Sequence, residues 1–146
     1  MKHELRQASE GDKEYLVSLH KRCYREIVES QFGNWDDEIQ RGFFEKKWNP
    51  STFQMIIVGG EKAGVISVRQ LADHFFLSEI QIEPRLQNQG LGSQIIKAIL
   101  SEARAQNLPV RLQVLKKSNA KNLYLRLGFI QTGLTDTHFL MEKTPC

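Results

Sequence analysis

The sequence of 146 residues is poor in cysteine and has neither a long hydrophobic run nor a block of consecutive basic residues. Its two cysteines, Cys23 and Cys146, are too few for a disulfide framework or a cysteine-rich metal site, so we expect a reducing, cytoplasmic setting and no metal. The purest aliphatic run, residues 55–58, is far too short to cross a bilayer, and the N-terminal stretch lacks the apolar core of a signal peptide. We therefore expect no association with a membrane.

The charge of the chain is mildly basic, with 20 Lys and Arg residues against 17 Asp and Glu residues. A net charge of +3 without a basic cluster or interleaved aromatic residues does not predict nucleic-acid binding, although it suits a small anionic ligand or an acidic partner. The hydrophobic content of 40% is typical of a globular protein, and the length allows one domain with a substantial core. We expect a single domain over residues 1–146, and the sequence leaves a homodimer open.

Two kinds of hydrophobic periodicity predict an α/β fold. Alternating apolar residues and turn signals predict strands at residues 3–8, 53–58, 65–70, 75–82, 110–114, 130–132 and 138–142. The second and third of these strands flank GGEKAG, which predicts a hairpin with a glycine-rich turn. Four helices are expected. Two lie between the first two strands, one precedes the strand at residues 110–114, and one follows that strand. This order predicts a mixed sheet with helices on both faces.

The predicted helices have recognisable start signals. Ser9 with Asp12 is typical of a capping box that opens the first helix, and Asn34 is the expected cap of the second. The third helix, residues 90–105, has the clearest period. The residues that recur at helical spacing are Leu16, Leu19, Cys23 and Ile27 in the first helix, Ile39, Phe43 and Phe44 in the second, and Leu91, Ile95, Ala98, Ile99 and Glu102 in the third.

The stretch QNQGLGSQII, residues 87–96, places two glycines directly before the third helix. A loop between a strand and a helix lets free backbone N–H groups and the helix dipole converge on one point, which suits a phosphate group. Gly90 and Gly92 have no side chain that would block a close approach, and Asn88 tolerates a left-handed backbone. The stretch therefore predicts an anion site, and a plain turn that only redirects the chain is the alternative.

Other phosphate loops fit this stretch badly. The Walker pattern requires a Lys directly before its Ser or Thr, and no Lys precedes Ser93. The third glycine of the dinucleotide fingerprint is also missing. The wider stretch LSEIQIEPRLQNQGLGSQIIKAIL instead resembles the acyl-CoA motif of GNAT-superfamily N-acetyltransferases. In that motif an apolar strand and a proline precede [RQ]-x-x-G-x-[GA] at the start of a helix.

A second motif of the GNAT superfamily is expected after the next strand, and LQVLKKSNAKNLYLRLGFIQTG resembles it. In this segment Asn119 and Ala120 open a helix and Tyr124 lies inside it. The order of predicted elements also matches the GNAT fold along nearly the whole chain. The resemblance therefore implies a GNAT acyl-CoA N-acyltransferase fold, with a central mixed β-sheet flanked by helices.

The resemblance implies acetyl-CoA as a cosubstrate and assigns residues to it. In the superfamily the glycine loop holds the pyrophosphate of coenzyme A, and the pantetheine arm pairs with the preceding strand where it diverges from the next one. The implied cofactor-binding residues are Ile80, Ile82, Gln87, Asn88, Gln89, Gly90, Leu91, Gly92, Ser93 and Asn119. Tyr124 matches the tyrosine that protonates the leaving thiolate, and packing on the sheet is its alternative role.

Acetyl transfer to an amine requires a base, because an alkylammonium with a pKa of about 10.4 must lose a proton before it can attack. Glu79 is the best candidate, since a carboxylate in a central strand needs a reason and alternation places it on one side with Gln81. The alternative is a structural carboxylate paired with Arg69 or Arg111 of a neighbouring strand. His74 in the preceding turn can titrate near neutrality, but a lone histidine in a turn is usually a surface residue.

The acceptor pocket of GNAT proteins involves the N-terminal third of the chain. Aromatic and acidic side chains there would suit a cationic amine. They are Tyr24, Glu26, Glu29, Phe32, Trp35, Asp36 and Asp37. Asp36 and Asp37 would equally serve the N-terminus of the second helix, and this is the interpretation we favour for them.

The sequence thus predicts an acetyl-CoA-dependent N-acetyltransferase that acts on a primary amine of a small molecule or a protein. Glu79 is the predicted general base and Tyr124 the predicted general acid. The alternative function is a non-catalytic acetyl-CoA sensor or regulatory module.

Overall fold

The computed structural model of the chain describes residues 1–145, so Cys146 lies outside the described residues. The strands of this range are β1 (Glu4–Gln7), β2 (Phe53–Val58), β3 (Glu61–Gln70), β4 (Phe75–Ile82), β5 (Val110–Leu115), β6 (Ile130–Leu134) and β7 (His138–Lys143). The helices are α1 (Lys13–Phe32), α2 (Asp37–Lys47), α3 (Leu91–Ala105) and α4 (Ala120–Arg126). Short 3-10 turns cover Glu10–Asp12 and Pro84–Leu86.

The strands form one mixed sheet flanked by the helices, in the order β1-β2-β3-β4-β5-β7-β6. β4 and β5 pair in parallel, whereas β1 with β2, β2 with β3, β5 with β7 and β6 with β7 pair antiparallel. The parallel ladder joins Phe75 to Val110 and Phe76 to Arg111, at the beginning of both strands. The predicted α/β class with a mixed sheet and flanking helices is confirmed.

Two predicted boundaries were wrong. β3 begins at Glu61 rather than at residue 65, because Gly59 and Gly60 alone make the turn, with φ of 61° and 81°. Positive φ at both central residues gives the turn a twist that matches the flanking strands, so pairing can continue up to it. The cap of α2 is Asp36 instead of Asn34, since the Asp36 carboxylate accepts a hydrogen bond of 3.0 Å from the Ile39 N–H.

Helical periodicity located the helices better than it located their buried faces. On α3 two of the residues that follow the helical period, Ala98 and Glu102, are exposed, whereas Ile96 and Ala103, which were not among them, are buried. On α2 only Phe44 is buried, and Ile39 and Phe43 are exposed. The capping box before α1 is confirmed, with the Ser9 N–H donating to the Asp12 carboxylate over 2.9 Å.

The chain divides into two compact units. The first comprises Met1–Ser67 and Glu79–Gln87, and its hydrophobic core is built by α1, α2, β2 and β3. The buried members of that core are Ala8, Leu16, Leu19, Phe44, Phe53, Met55 and Val65. Gly64 on β3 lies against the backbone of β4, where a Cβ atom would stand 2.2 Å from the carbonyl oxygen of Gln81. This contact requires glycine, because any other residue would force the backbones apart.

The second unit comprises Val68–Ser78 and the chain from Asn88 onward. Its buried residues come from one face of α3, from alternate positions of β5, and from α4 and the residues that follow it. Along β5 the burial alternates, with Val110, Leu112 and Val114 buried and the residues between them exposed.

Among residues 1–145 no helix is both long enough and apolar enough to cross a membrane. Nor does this part of the chain contain three or more His, Cys, Asp or Glu side chains grouped so that they could hold a metal ion.

Candidate functional site

The glycine loop before α3 has an open and uncapped backbone. Asn88 and Gly90 both adopt left-handed conformations, with φ of 61° and 88°. Gly90 is the N-cap of α3 and has no side chain that could cap the N–H groups of the first turn, residues 91–93. Residues 87–90 are exposed. The positive end of the helix dipole therefore lies beside an exposed loop, an arrangement that suits an anion.

Gln87, at the start of this loop, belongs to the first unit and is tied to β4. Its side-chain amide donates a hydrogen bond of 2.9 Å to the carbonyl oxygen of Ile82. The thiol of Cys23 donates to the same carbonyl over 3.3 Å. The carbonyl of Ile82 is therefore already an acceptor for two side chains.

Glu79 on β4 is held by two donors within the first unit. Lys47 Nζ donates to its Oε1 over 2.8 Å, and Gln81 Nε2 donates to its Oε2 over 3.1 Å. The side chain of Glu79 is 12% exposed, whereas that of Lys47 is 61% exposed. Each oxygen of this mostly buried carboxylate thus has a donor, as a charged group removed from water needs.

The partners predicted for a purely structural Glu79 contact other groups. Arg111 donates to Glu142 over 2.7 Å, and Arg69 lies over the ring of Phe76 at 5.4 Å. Sequence reasoning missed the ion pair between Glu79 and Lys47, the last residue of α2. The sequence does not indicate which end of a helix approaches the strand.

A small cavity of about 50 Å³ opens at Glu79. Its walls are apolar and aromatic, and its polar groups lie on α1, α2 and β4. The lining residues are Leu16, His20, Phe43, Phe44, Lys47, Phe53, Val65, Glu79 and Gln81. This volume is well below the roughly 300–1,000 Å³ of a ligand pocket, so the cavity has room for a small polar group rather than for a whole ligand.

A hydrogen-bonded chain runs from Glu79 to α2 through α1. Gln81 Nε2 lies 3.4 Å from His20 Nδ1, and His20 Nε2 lies 3.1 Å from Gln40 Oε1. Because an amide oxygen only accepts, the His20 Nε2 carries a hydrogen, and the neutral Nδ1 accepts from Gln81. Gln81 is 6% exposed, and its Oε1 has no hydrogen-bond partner among the described residues. Gln81 lines the cavity beside Glu79, and this amide oxygen is a buried acceptor.

A larger cavity of about 270 Å³ lies between α1 and α2. His20 and Phe44 line both cavities. The remaining lining residues are Glu14, Val17, Ser18, Lys21, Trp35, Asp37, Gln40 and Arg41. Ion pairs between Arg41 and Glu14 and between Lys21 and Asp37 put charges of both signs at its rim.

Only some of the residues predicted to surround the acceptor lie at the larger cavity. Trp35 and Asp37 line the larger cavity, and the rings of Tyr24 and Trp35 lie 5.0 and 5.5 Å from that of His20. Asp36 caps α2, as the favoured interpretation expected, whereas Asp37 instead binds Lys21 and the Trp35 indole. The other predicted members, Glu26, Glu29 and Phe32, are exposed on α1, and Glu29 pairs with Arg25.

Tyr124 lies on α4 in the second unit and is 6% exposed. Its ring meets that of Phe129 edge-on at 5.7 Å. Asn119 precedes α4 and is exposed, and its backbone carbonyl accepts from the Asn122 N–H over 3.1 Å. The roles of Tyr124 in proton transfer and of Asn119 in cofactor binding stay predictions.

His74 lies in the turn before β4, also in the second unit. Its Nδ1 lies 2.7 Å from the Asp73 carboxylate and 3.4 Å from Arg111. These contacts are those of a turn histidine engaged with charged surface neighbours.

A polar network that sequence reasoning missed surrounds Glu83, directly after β4. The Tyr15 hydroxyl donates to Glu83 Oε1 over 2.8 Å, and Arg22 binds the same carboxylate.

Burial raises the pKa of the Cys23 thiol to about 11, so this cysteine stays protonated and is a poor nucleophile near neutral pH. The network ties α1 to the end of β4 and leaves the cysteine a structural role.

Residues 23–138, most of the chain, match the family described as the acetyltransferase (GNAT) domain. The glycine loop, the carboxylate on β4 and the tyrosine on α4 all lie within this match. The chain therefore belongs to the GNAT acetyltransferase family. None of the curated proteins matches the chain by sequence.

Solved structures with the same fold cover nearly the whole chain at low identity. The PaiA N-acetyltransferase of Thermoplasma acidophilum, in complex with coenzyme A, is 17% identical with a TM-score of 0.79, and the similarity covers 99% of each chain. Ard1 of Thermoplasma volcanium is 21% identical with a TM-score of 0.67, covering 99% of this chain and 98% of that one. The ribosomal-protein-S18-alanine N-acetyltransferase of Escherichia coli is 17% identical with a TM-score of 0.68, covering 98% and 94%.

Proposed function

We propose that this GNAT acetyltransferase transfers the acetyl group of acetyl-CoA to a primary amine of a small molecule or a protein. The observation that supports this most directly is the position of Glu79. It is a mostly buried carboxylate at the lining of a cavity, and it already binds a primary ammonium, that of Lys47, at 2.8 Å. An acceptor ammonium has the same chemistry and can take the same place.

Glu79 is the proposed general base. The acceptor ammonium must lose a proton before its nitrogen can attack a thioester, and a carboxylate within hydrogen-bond distance can receive that proton directly or through a water. Gln81 fixes one carboxylate oxygen, and His20 fixes Gln81, so the base is held in one orientation. The exposed Lys47 side chain can leave when an acceptor arrives.

The rest of the acceptor would occupy the larger cavity between α1 and α2. Its charged groups are paired with one another, and its interior surface is formed by aromatic and neutral polar side chains such as Trp35, His20 and Gln40. This lining suits a polar acceptor without a large net charge beyond its reacting amine.

Acetyl-CoA would be held by the loop of residues 87–93 and by the backbone of β4 at Ile80 and Ile82. The uncapped N–H groups at the start of α3 would bind the pyrophosphate, and Asn119 would contact the pantetheine arm. Since the Ile82 carbonyl already accepts from Cys23 and Gln87, pairing at Ile82 would use its N–H. The coenzyme A complex of the similar PaiA N-acetyltransferase supports this cosubstrate.

Tyr124 is the proposed general acid. The transfer releases a thiolate, and a phenol hydroxyl can return a proton to it. The buried ring of Tyr124 and its packing against Phe129 would hold that hydroxyl in a fixed place on α4. We place the reaction in the cytoplasm, in keeping with the free thiol of Cys23.

A turnover screen tests the function. The protein is incubated with acetyl-CoA and a panel of primary alkylamines, amino acid derivatives and lysine- or N-terminal-amine peptides, and the released thiol is measured. We expect turnover of at least one class of primary amine. Binding of acetyl-CoA by calorimetry without turnover of any member would favour the sensor or regulatory function instead. Absence of both binding and turnover would reject the proposal.

A further inference from the structure

Lys47 occupies the position that the proposed reaction assigns to an acceptor amine. It is a primary alkylamine, its Nζ lies 2.8 Å from Glu79 Oε1, and its side chain lines the cavity that contains that carboxylate. Other lysines of the first unit bind carboxylates that do not line this cavity: Lys13 pairs with Glu45, and Lys62 with Asp12. The contact of Lys47 therefore differs from theirs, because its partner is the candidate base.

The position of Lys47 in the fold leaves its side chain free to react. Lys47 is the last residue of α2, and its side chain is 61% exposed, so the ammonium is not locked by packing. An ion pair with such an exposed partner is weak and exchanges readily. Glu79, by contrast, is mostly buried and is oriented by Gln81. An exposed amine thus contacts a mostly buried and oriented carboxylate.

We propose that Lys47 is a site of self-acetylation in cis, at which this chain modifies its own ε-amine with acetyl-CoA. The inference rests on the proposed function, since it uses Glu79 as the base and acetyl-CoA as the donor. A tethered amine has a high effective concentration at the base, so the modification does not depend on a second protein molecule.

The chemistry of this step balances with the groups named. A bond forms between Lys47 Nζ and the acetyl carbon, and the carbon–sulfur bond of acetyl-CoA breaks. The ammonium loses two protons, of which one passes through Glu79 to solvent and the other protonates the leaving thiolate. The products are an N-acetylated Lys47 and free coenzyme A, and no oxidation or reduction takes place.

The chain supplies its own control residue. Lys46 is the exposed neighbour of Lys47 on α2, and it does not line the cavity that contains Glu79. Cleavage after glutamate, at Glu45 and Glu61, releases one peptide that contains both lysines. Fragment spectra of that peptide assign each acetyl group to Lys46 or to Lys47.

The test follows acetylation of this peptide by mass spectrometry after the full chain is mixed with acetyl-CoA at pH 8. We expect Lys47 to be acetylated at least ten times faster than Lys46, with a rate constant that is unchanged when the protein is diluted about 100-fold. Glu79→Gln should slow the modification of Lys47 by roughly 10²–10⁴-fold, the usual effect of a general base, and leave that of Lys46 unchanged. Lys46→Arg should leave the Lys47 rate as it is.

Several results would overturn self-acetylation. Equal rates at both lysines, or a Lys47 rate insensitive to Glu79→Gln, would mean unassisted chemical acylation. A rate constant proportional to protein concentration would mean modification of one molecule by another. Thiol release with added n-butylamine while Lys47 stays unmodified would reject self-acetylation and leave the proposed function standing. If neither Lys47 nor any amine of the turnover screen, n-butylamine included, is acetylated, self-acetylation and the proposed function both fail.

Discussion

At the scale of single residues, the proposed chemistry of this protein depends on Glu79. Its carboxylate lies on a strand among mostly apolar neighbours, and both of its oxygens accept hydrogen bonds. The buried amide of Gln81 lies beside it, and its oxygen has no hydrogen-bond partner among residues 1–145. Unpartnered buried polar atoms are costly, and this one lies next to a carboxylate and a cavity, which is consistent with the site we propose there.

Replacing Glu79 by Gln separates the three roles this residue can have. If it is the base, kcat at neutral pH should fall by roughly 10²–10⁴-fold, and the loss should shrink at high pH where the free amine is abundant. If Glu79 only binds the ammonium, the acceptor KM should rise with kcat less affected. If it is structural, the variant should melt at a lower temperature while its activity per folded molecule stays unchanged. A pH–rate profile and a thermal melt of both proteins measure all three, and wild-type kinetics at every pH would exclude both chemical roles.

Replacing Tyr124 by Phe keeps the ring that packs on Phe129 and removes only the hydroxyl. If the hydroxyl protonates the leaving thiolate, turnover should fall by roughly 10²–10⁴-fold with acetyl-CoA affinity nearly unchanged. Steady-state kinetics and calorimetry on the two proteins check this. Unchanged turnover in a variant whose chemical step limits the rate would assign Tyr124 to packing alone.

At the scale of elements, the loop before α3 and the paired strands β3 and β4 position the groups described above. The loop depends on left-handed backbone at Asn88 and Gly90. The strand pair depends on Gly64, where the backbones of β3 and β4 come close. Both features are properties of the main chain, so each can be tested by adding a side chain.

Adding a glutamate at Gly92 places bulk and negative charge in the first turn of α3, where a phosphate would bind. We expect Gly92→Glu to abolish acetyl-CoA binding in calorimetry, and we expect wild-type affinity to fall as salt is raised. Ser101→Glu is the matched control, because it adds the same charge at an exposed position of the same helix away from its N-terminus. Equal binding by wild type and Gly92→Glu would disprove the loop assignment.

Adding a methyl group at Gly64 should destabilise the first unit. The new Cβ would lie 2.2 Å from the Gln81 carbonyl oxygen and 3.1 Å from the Ile82 Cα, so backbone atoms have to move. We expect Gly64→Ala to lower the free energy of unfolding by roughly 1–3 kcal/mol, the usual cost of overpacking, in urea denaturation. Gly42→Ala on α2 meets no described atom within 4 Å apart from the neighbouring backbone of its own helix, and should be neutral or slightly stabilising. Similar effects of both substitutions would contradict the close strand contact.

At the scale of the whole molecule, stability in acid should depend on Asp12. The hydrogen bond from Arg6 is the main cause that holds the Asp12 pKa well below its usual value of 3.8, and Lys62 and the Ser9 N–H add to it. A carboxyl whose pKa is lower in the folded state stabilises the fold above its unfolded pKa. That stabilisation is lost as the pH falls below about 4 toward the folded pKa.

Asp12→Asn should therefore cost stability near neutral pH and little in acid. We expect a loss of roughly 1.5–3 kcal/mol at pH 7, the range for hydrogen bonds to charged groups, and a smaller difference from wild type at pH 3. Urea denaturation at the two pH values measures it. Asp136→Asn, at an exposed position, is the control and should change little at either pH. A difference that stays constant with pH would refute the assignment.

The sequence by itself determined the order of the elements, the start of α3 at its glycine loop and the pairing of Glu79 with Gln81 on one side of β4. These features follow from local patterns, because hydrophobic period, capping residues and strand alternation are set within a few neighbours along the chain. The capping box of Ser9 and Asp12 was predictable for the same reason.

Only the tertiary structure decided which side chains meet at Glu79. Lys47 lies 32 residues from it in the chain, and His20 lies 61 residues from Gln81, so no local pattern links them. The same holds for the exposed faces of α2 and α3, where periodicity identified a helix but packing selected which residues it buried. Contacts between distant segments depend on how helices pack on the strands, and this packing is fixed by the summed burial of many side chains rather than by any single stretch of sequence.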